Sequence, residues 1–128
     1  MKKLKRLSWK NIHTIVFDFD GIFTDNKVYI SQEGKELIKC DKSDSLGLSY
    51  LRKFVDLNNW DLDYFILTME SNPVVMQRAR KLQINCYQSV NNKLEFIEQR
   101  LKKRFNETNQ SRKGLVYLGN DLNDYKSI

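Results

Sequence analysis

The chain has 128 residues, enough for one domain with a hydrophobic core, and 41% of its residues are hydrophobic and 12% aromatic. Five of its 22 basic residues lie before the first acidic residue, Asp18, and the other 17 nearly balance the 16 acidic ones. The net charge of +6 therefore indicates a solvated basic arm over residues 1–10 rather than a surface that binds nucleic acid or a membrane. Charged residues interrupt every apolar run, so we expect neither a transmembrane segment nor a signal peptide, and the isolated Cys40 and Cys86 are expected to be reduced thiols in a cytoplasmic protein.

The predicted elements begin with a buried strand, His13–Phe17, whose apolar run stops at a pair of carboxylates. A β-hairpin follows within residues 26–41, and its two strands are joined by a turn at Gly34. Beyond it the sequence predicts helices and strands in alternation, which indicates a parallel sheet wound by right-handed crossovers. The helices are expected at about 44–57, 73–82 and 93–105, and the strands at Tyr64–Leu67, Cys86–Gln88 and Leu115–Leu118.

Capping residues indicate where the predicted helices begin. Ser43 or Asp44 is the expected N-cap of the first helix, and Asn72, with proline at the first helical position, is a strong start signal for the second. Asn92 opens a capping-box pattern at the third, which places Lys93 in the first turn. The helix dipole disfavours a cation there, so Lys93 is either a flexible surface residue or a ligand of a nearby phosphate.

Polar groups follow the predicted strands at their carboxyl ends. Asp18 and Asp20 project to the same side of an extended segment, where their mutual repulsion requires a proton or a cation between them. The later strands are followed by further polar groups, namely Thr68, Lys93 and the pair Asn120 and Asp121. Ligands of parallel α/β sheets bind outside this edge, so we expect one site there. A hydroxyl, an ammonium and acids that bind Mg²⁺ together suit phosphoryl transfer, although each alone has a plain structural reading as a turn or cap.

The stretch from Asp18 to Asp25 resembles the first motif of the haloacid dehalogenase (HAD) superfamily of phosphatases, D-x-D-G-x-x-T-D. Every fixed position of that motif is present. Thr68, Lys93 and the segment 119–124 match the second, third and fourth motifs in order and spacing. The resemblance covers nearly the whole chain and implies a single HAD-like domain over 1–128. The implied fold class is α/β, a three-layer Rossmann-like parallel sheet.

The resemblance also implies a role for each motif residue. Asp18 is the nucleophile that forms an aspartyl-phosphate, and Asp20 is first the general acid and then the base that activates water. The implied Mg²⁺ ligands are Asp18, the backbone carbonyl of Asp20, Asn120 and Asp121. Thr68 and Lys93 hold the phosphoryl group, and Asp124 supports Lys93 or the metal. Aspartate at position 20 favours a hydrolase, because the superfamily's ATPases carry threonine there.

Finer features narrow the branch. The hairpin is the only insertion between Asp25 and Thr68, so no sizeable cap domain fits there. The chain therefore resembles the capless group that contains 3-deoxy-D-manno-octulosonate (KDO) 8-phosphate phosphatase, whose members form tetramers through their hairpins. The segments 17–26, 43–45 and 72–75 are similar to nonulosonate 9-phosphate phosphatases and to the phosphatase-like domain attached to some acylneuraminate cytidylyltransferases. These similarities imply a Mg²⁺-dependent phosphatase of a 2-keto-3-deoxy sugar-acid phosphate, a homotetramer without a nucleic-acid or membrane partner.

The nonulosonate 9-phosphate phosphatases carry a Glu-x₇-Arg-x₂-Lys pattern that handles the sugar acid. Glu70, Arg78 and Lys81 match that spacing. Arg78 and Lys81 are three residues apart on the predicted helix, so both can face one carboxylate. An ordinary basic helix face is an equally good reading of Lys81.

Three departures from the family pattern leave alternatives open. Met69 replaces a glycine and could crowd the phosphate loop, while Asn120 replaces the first acid of motif four and removes one negative charge. The family continues through a further strand–helix unit and tail, which this chain, ending at Ile128, is expected to lack. The departures support a non-catalytic oligomerisation module associated with a cytidylyltransferase. A phospho-receiver domain uses similar residues, but its acceptor aspartate lies on a middle strand.

Overall fold

A parallel four-stranded sheet forms the centre of the computed structural model, which describes residue 6, residues 8–106 and residues 112–120. In chain order the strands and helices are β1 Thr14–Phe17, β2 Thr24–Ile30, β3 Glu36–Cys40, α1 Ser43–Leu57, β4 Asp63–Leu67, α2 Pro73–Leu82, β5 Asn85–Tyr87, α3 Lys93–Phe105 and β6 Leu115–Leu118. Short 3₁₀ turns at Trp9–Asn11 and Arg112–Gly114 precede β1 and β6. The predicted elements are confirmed, with β5 one residue earlier than expected.

The strand order in the sheet is β5-β4-β1-β6, and all neighbours are parallel. Phe17 is level with Ile66 on β4 and with Leu118 on β6, so the carboxyl ends of these strands lie side by side. The predicted α/β fold with a parallel sheet is confirmed, and the described residues contain no cap domain. In place of a cap, β2 and β3 form a separate antiparallel hairpin.

Two hydrophobic cores lie on opposite faces of the sheet. Ile66 points to the face covered by α1 and α2, where it packs in one cluster with Leu48 and Ala79. Its neighbours Phe65 and Leu67 point the other way and pack with α3. This alternation along β4 is what a strand buried on both faces requires, and it produces three layers.

The structure confirms two of the three predicted helix starts. The side chain of Asn72 accepts the N–H of Val74 at 3.1 Å, and that of Asn92 accepts the N–H of Glu95 at 3.0 Å. The prediction of Ser43 or Asp44 as the cap of α1 is wrong. Ser43 is already helical, and its N–H donates to the Asp41 carboxylate at 2.8 Å. Asp41 lies before a residue with helical backbone angles and does the capping.

The predicted basic arm of residues 1–10 lies largely outside the described residues. Its last part is anchored, because the Trp9 ring packs edge-on against Phe54 and Trp60. The Trp60 indole N–H donates to the carbonyl of Ile12 at 2.8 Å and ties this segment to the strand entry. In the part of the chain that the structure describes, no helix has the length and apolar character needed to cross a membrane.

Candidate active site

The site lies where β1, β4 and β6 end. The N–H of Asp18 donates to the carbonyl of Leu118 at 2.8 Å, which joins the D-x-D loop to the end of β6. On the other side of β1, the N–H of Thr68 donates to the carbonyl of Tyr87 at 3.0 Å. The parallel register therefore places the first motif, Thr68 of the second and the start of the fourth at one edge.

Asp18 and Lys93 form a buried ion pair at this edge. Asp18 is 6% exposed and Lys93 7% exposed, and the Lys93 Nζ lies 3.1 Å from the Asp18 Oδ1. The same oxygen accepts the N–H of Phe19 at 2.8 Å, so the carboxylate is held in one orientation. The reading of Lys93 as a flexible surface residue is wrong. Its unfavourable place in the first turn of α3 is compensated by a carboxylate rather than by solvent.

Tyr117 is a site residue that the sequence analysis missed. Its hydroxyl accepts a hydrogen bond from Lys93 Nζ at 3.2 Å, so groups from β6 and from the loop after β1 both hold the ammonium. The available signal was weak: a tyrosine one residue from the end of an apolar strand that precedes a polar loop. Only the three-dimensional pairing of β6 with β1 shows that it faces Lys93.

Asp20 lies in a more open, negatively charged position. Partial burial raises the pKa of Asp20 above its ordinary value, and the charges of Glu70 and Glu36 raise it further, while Lys93 lowers it. A carboxyl group that keeps its proton closer to neutral pH can act as a general acid. Glu36, from the hairpin, is a second nearby residue that the sequence analysis did not single out.

Thr68 is 2% exposed, and its hydroxyl oxygen accepts the N–H of Glu70 at 3.1 Å. This contact shapes the loop after β4, whose next residue, Met69, is 47% exposed. Met69 is therefore partly exposed rather than packed into the core, and its effect on phosphate binding stays a prediction.

Gly21 brings the fourth motif against the first. Its backbone has a φ of +80°, and a side chain at this position would collide with the amide of Asn120. Glycine is therefore required both for the turn and for the close approach of Asn120. The other predicted residues of this motif, Asp121 and Asp124, lie outside the described residues.

The donor groups at this edge fit a hard divalent cation such as Mg²⁺. The Asp18 carboxylate, the Asp20 backbone carbonyl and the Asn120 amide oxygen belong to loops that meet there, and Mg²⁺ prefers such oxygen ligands. The acids that raise the pKa of Asp20 also leave negative charge that a cation would offset. Among the described residues, no group of three Asp, Glu, His or Cys side chains could by itself hold a metal ion.

The predicted sugar-acid residues lie in different surroundings. The Glu70 carboxylate is beside Asp20 and also accepts the N–H groups of Ser71 and Asn72 at 3.0 and 2.9 Å. The Arg78 guanidinium donates to the carbonyl of Asp41 at 2.9 Å, and Lys81 is exposed. A cavity lies beside Asp20, between the hairpin and the start of α2, and neither of these two basic residues lines it. Their role in binding substrate stays a prediction.

These features define a class: an α/β chain with the HAD-like fold and the HAD motif residues at the carboxyl edge of its sheet. No protein-family model matches the chain. Its structural neighbours are HAD-family hydrolases, among them KDO 8-phosphate phosphatases, which confirms the resemblance that the motifs indicated.

One neighbour is a protein from Streptomyces avermitilis assigned to the HAD family of hydrolases. It is 34% identical, with a TM-score of 0.76 over 92% of this chain and 62% of its own. Another is KDO 8-phosphate phosphatase from Moraxella catarrhalis, solved with magnesium, phosphate and KDO, which is 28% identical with a TM-score of 0.73 over 94% of this chain and 64% of its own. A cobalt-bound phosphatase from Haemophilus influenzae, 22% identical, shares the fold with a TM-score of 0.69 over 91% of this chain and 63% of its own. The chain thus spans about three fifths of the length of these neighbours.

Proposed function

We propose that the chain carries the catalytic site of a cytoplasmic, Mg²⁺-dependent phosphomonoester hydrolase that acts on a 2-keto-3-deoxy sugar-acid phosphate. The observation that carries this proposal is the buried Asp18 carboxylate, fixed by Lys93 Nζ at 3.1 Å and by a backbone N–H at 2.8 Å. A carboxylate fixed next to an ammonium is suited to attack a phosphoryl group whose oxygens that ammonium can neutralise.

In the proposed reaction an oxygen of Asp18 attacks phosphorus, and the bond from phosphorus to the leaving alcohol breaks. Asp20 gives its proton to that alkoxide and then takes a proton from water. The water oxygen attacks the aspartyl-phosphate, which releases inorganic phosphate and restores the Asp18 carboxylate. Thr68 and Lys93 hold the phosphoryl oxygens. Asp18, the Asp20 carbonyl, Asn120 and Asp121 would hold Mg²⁺, which would supply positive charge that offsets the charge of the phosphoryl oxygens.

For the substrate we propose KDO 8-phosphate or a nonulosonate 9-phosphate. The first is supported by the Moraxella neighbour, solved with KDO and phosphate, and the second by the Glu70, Arg78 and Lys81 pattern. The same reasoning links the chain to nonulosonate (sialic acid) metabolism.

Measurement of phosphate release from both substrates tests this function. The release is measured with and without Mg²⁺ and compared with a blank of enzyme alone. We expect release that requires Mg²⁺, stops on chelation and falls by about 10³-fold or more in Asp18→Asn, because the nucleophile is lost. Asp56→Asn, an exposed change on α1, is the matched control and should retain activity. Release that persists in Asp18→Asn, or none from the unmodified chain with Mg²⁺, contradicts the proposal.

A second candidate is a non-catalytic oligomerisation module associated with an acylneuraminate cytidylyltransferase. The hairpin favours it, because Val28, Tyr29, Ile30 and Leu37 are large apolar residues that lie exposed in the single chain. We propose that this hairpin assembles the chain into a homotetramer under either function. A tetramer that binds no Mg²⁺ by calorimetry supports the module, whereas Mg²⁺ binding together with phosphate release supports the enzyme.

A further inference from the structure

A cavity of about 110 Å³ opens beside Asp20, between the loop after β1, the hairpin and the start of α2. Its apolar lining residues are Phe19, Val28, Ile38, Val74 and Val75. Its polar lining residues are the acids Asp20, Glu36 and Glu70 and the amides Asn26 and Asn72. No lysine or arginine is among the described residues that line it, so this cavity is rich in hydrogen-bond acceptors and has no lining cation.

The carboxylates of Asp20, Glu36 and Glu70 differ in their hydrogen-bond partners and in their proposed roles. Glu70 Oε1 accepts two backbone N–H groups and so helps to shape the loop before α2. Asp20 is the proposed proton donor and acceptor. Glu36 lies at the start of β3, and its contact with Asn72 Nδ2 is 3.5 Å, long for a hydrogen bond. Glu36 therefore keeps acceptor capacity toward the cavity.

The acceptor groups of this cavity determine which groups of a substrate can bind in it. A carboxylate accepts hydrogen bonds from hydroxyl groups and repels another carboxylate, so the part of a substrate bound here is hydroxylated and uncharged. The leaving alcohol of a sugar-acid phosphate has this character next to its ester, while its acid group lies farther along the carbon chain.

We propose that Glu36 is a specificity-determining residue that accepts a hydrogen bond from a hydroxyl group of the leaving alcohol, next to the phosphate ester. The inference rests on the proposed function and adds to it a residue of the hairpin. It also assigns the substrate's carboxylate to a position outside this cavity.

The test compares Glu36→Ala and Glu36→Gln with Glu33→Ala and Glu33→Gln, since Glu33 is an exposed acid in the turn of the same hairpin. The measured quantity is the ratio of kcat/KM for KDO 8-phosphate to kcat/KM for para-nitrophenyl phosphate, whose leaving group has no second hydroxyl. We expect this ratio to fall about tenfold or more in Glu36→Ala, as for a lost hydrogen bond to a charged group. The Glu33 variants should keep the ratio of the unmodified chain.

A ratio within about twofold of the unmodified chain in Glu36→Ala overturns the inference. If Glu36 acted only through its charge on Asp20, Glu36→Gln would lower kcat/KM equally for the two esters and leave their ratio unchanged. That result would also overturn the inference. If the unmodified chain hydrolyses neither ester, the proposed function fails, and binding of KDO itself by calorimetry decides on Glu36. A Kd about tenfold higher in Glu36→Ala then supports the inference, and an equal Kd or no binding to the unmodified chain overturns it.

Discussion

Lys93 is the residue on which the geometry of the site depends most, because it joins the start of α3 to both Asp18 and Tyr117. Removing one partner of a buried ion pair leaves the other charge buried without that counter-charge, which costs about 3–5 kcal/mol of stability. We therefore expect Lys93→Met to lower the free energy of unfolding by about that amount, measured by denaturant titration. Phosphate release should fall by about 10²-fold or more, since a charge facing the phosphoryl group is lost.

The control for this change is Lys102→Met, an exposed position on the same helix, which should alter stability by less than about 0.5 kcal/mol. The double variant Lys93→Met with Asp18→Asn should recover part of the lost stability, because the buried side chain at position 18 then carries no negative charge that has lost the Lys93 ammonium. A single Lys93→Met variant as stable as the unmodified chain would show that the pair contributes no net stability.

Cys86 gives a pH-dependent prediction. Burial raises the pKa of Cys86 to about 11, because the thiolate is poorly solvated inside the protein. At pH 8 only about one thiol in a thousand is then ionised, compared with about a quarter for a free cysteine of pKa about 8.5. We expect iodoacetamide to modify native Cys86 about 200-fold more slowly than the unfolded chain, followed by mass spectrometry of the Cys86 peptide.

The native rate of Cys86 modification should rise about tenfold per pH unit between pH 8 and 10, as the thiolate fraction does. The stabilisation linked to this thiol is fully present below the unfolded pKa and is lost as pH rises toward about 11. Equal rates in the native and unfolded chains at pH 8 would contradict the prediction.

At the scale of elements, the cap of α3 positions the residue that follows it. The Asn92 side chain accepts the N–H of Glu95 at 3.0 Å, and Lys93 is the first residue of the helix. We expect Asn92→Ala to destabilise the chain by about 1 kcal/mol, the usual contribution of an N-cap. Asn91→Ala, one residue earlier and also exposed, is the control and should change stability by less than about 0.5 kcal/mol. Equal losses in a thermal or denaturant titration would assign the effect to the loop rather than to the cap.

Local signals in the sequence predicted most of these elements, and long-range contacts account for what was missed. Asn72 is marked as a cap by the proline that follows it, and Asn92 by the glutamate three residues later that completes the capping-box pattern. Before α1, however, Asp41, Ser43 and Asp44 all have side chains that can cap, so composition could not select among them.

The features of the candidate site that the sequence did not predict also result from long-range contacts. The four strand ends were placed correctly because a parallel sheet brings them to one edge whatever the side chains in between. The burial of Lys93 depends on partners 75 and 24 residues away in the sequence, Asp18 and Tyr117, and no local pattern records such a pairing. The approach of Glu36 to Asp20 likewise depends on how the hairpin folds back over the loop.

At the scale of the whole molecule, the hairpin is distinct from the rest of the chain. The sheet is covered by α1 and α2 on one face and by α3 on the other, whereas all of β2 from Asp25 onward is exposed. Tyr29 and Leu37 are directly opposite each other and form an exposed apolar patch on one face of the hairpin, of the kind found at interfaces between proteins. The hairpin also contributes Glu36 to the cavity beside Asp20, so assembly through it would connect oligomeric state with the site.

Leu37 and Tyr29 are opposite each other on the two strands of the hairpin and are 65% and 64% exposed. A charge at the centre of this patch would be desolvated in a tetramer but would remain hydrated in a single chain. We therefore expect Leu37→Asp to convert the tetramer to a monomer. The mass measured by light scattering should fall from about four times the chain mass of 15.3 kDa to that of a single chain. Leu57→Asp is the matched control, because Leu57 is 83% exposed on α1, outside the hairpin, and should leave the mass unchanged. Loss of the oligomer in both variants would point to general destabilisation, and an unchanged mass in Leu37→Asp would place the contact between subunits on another surface.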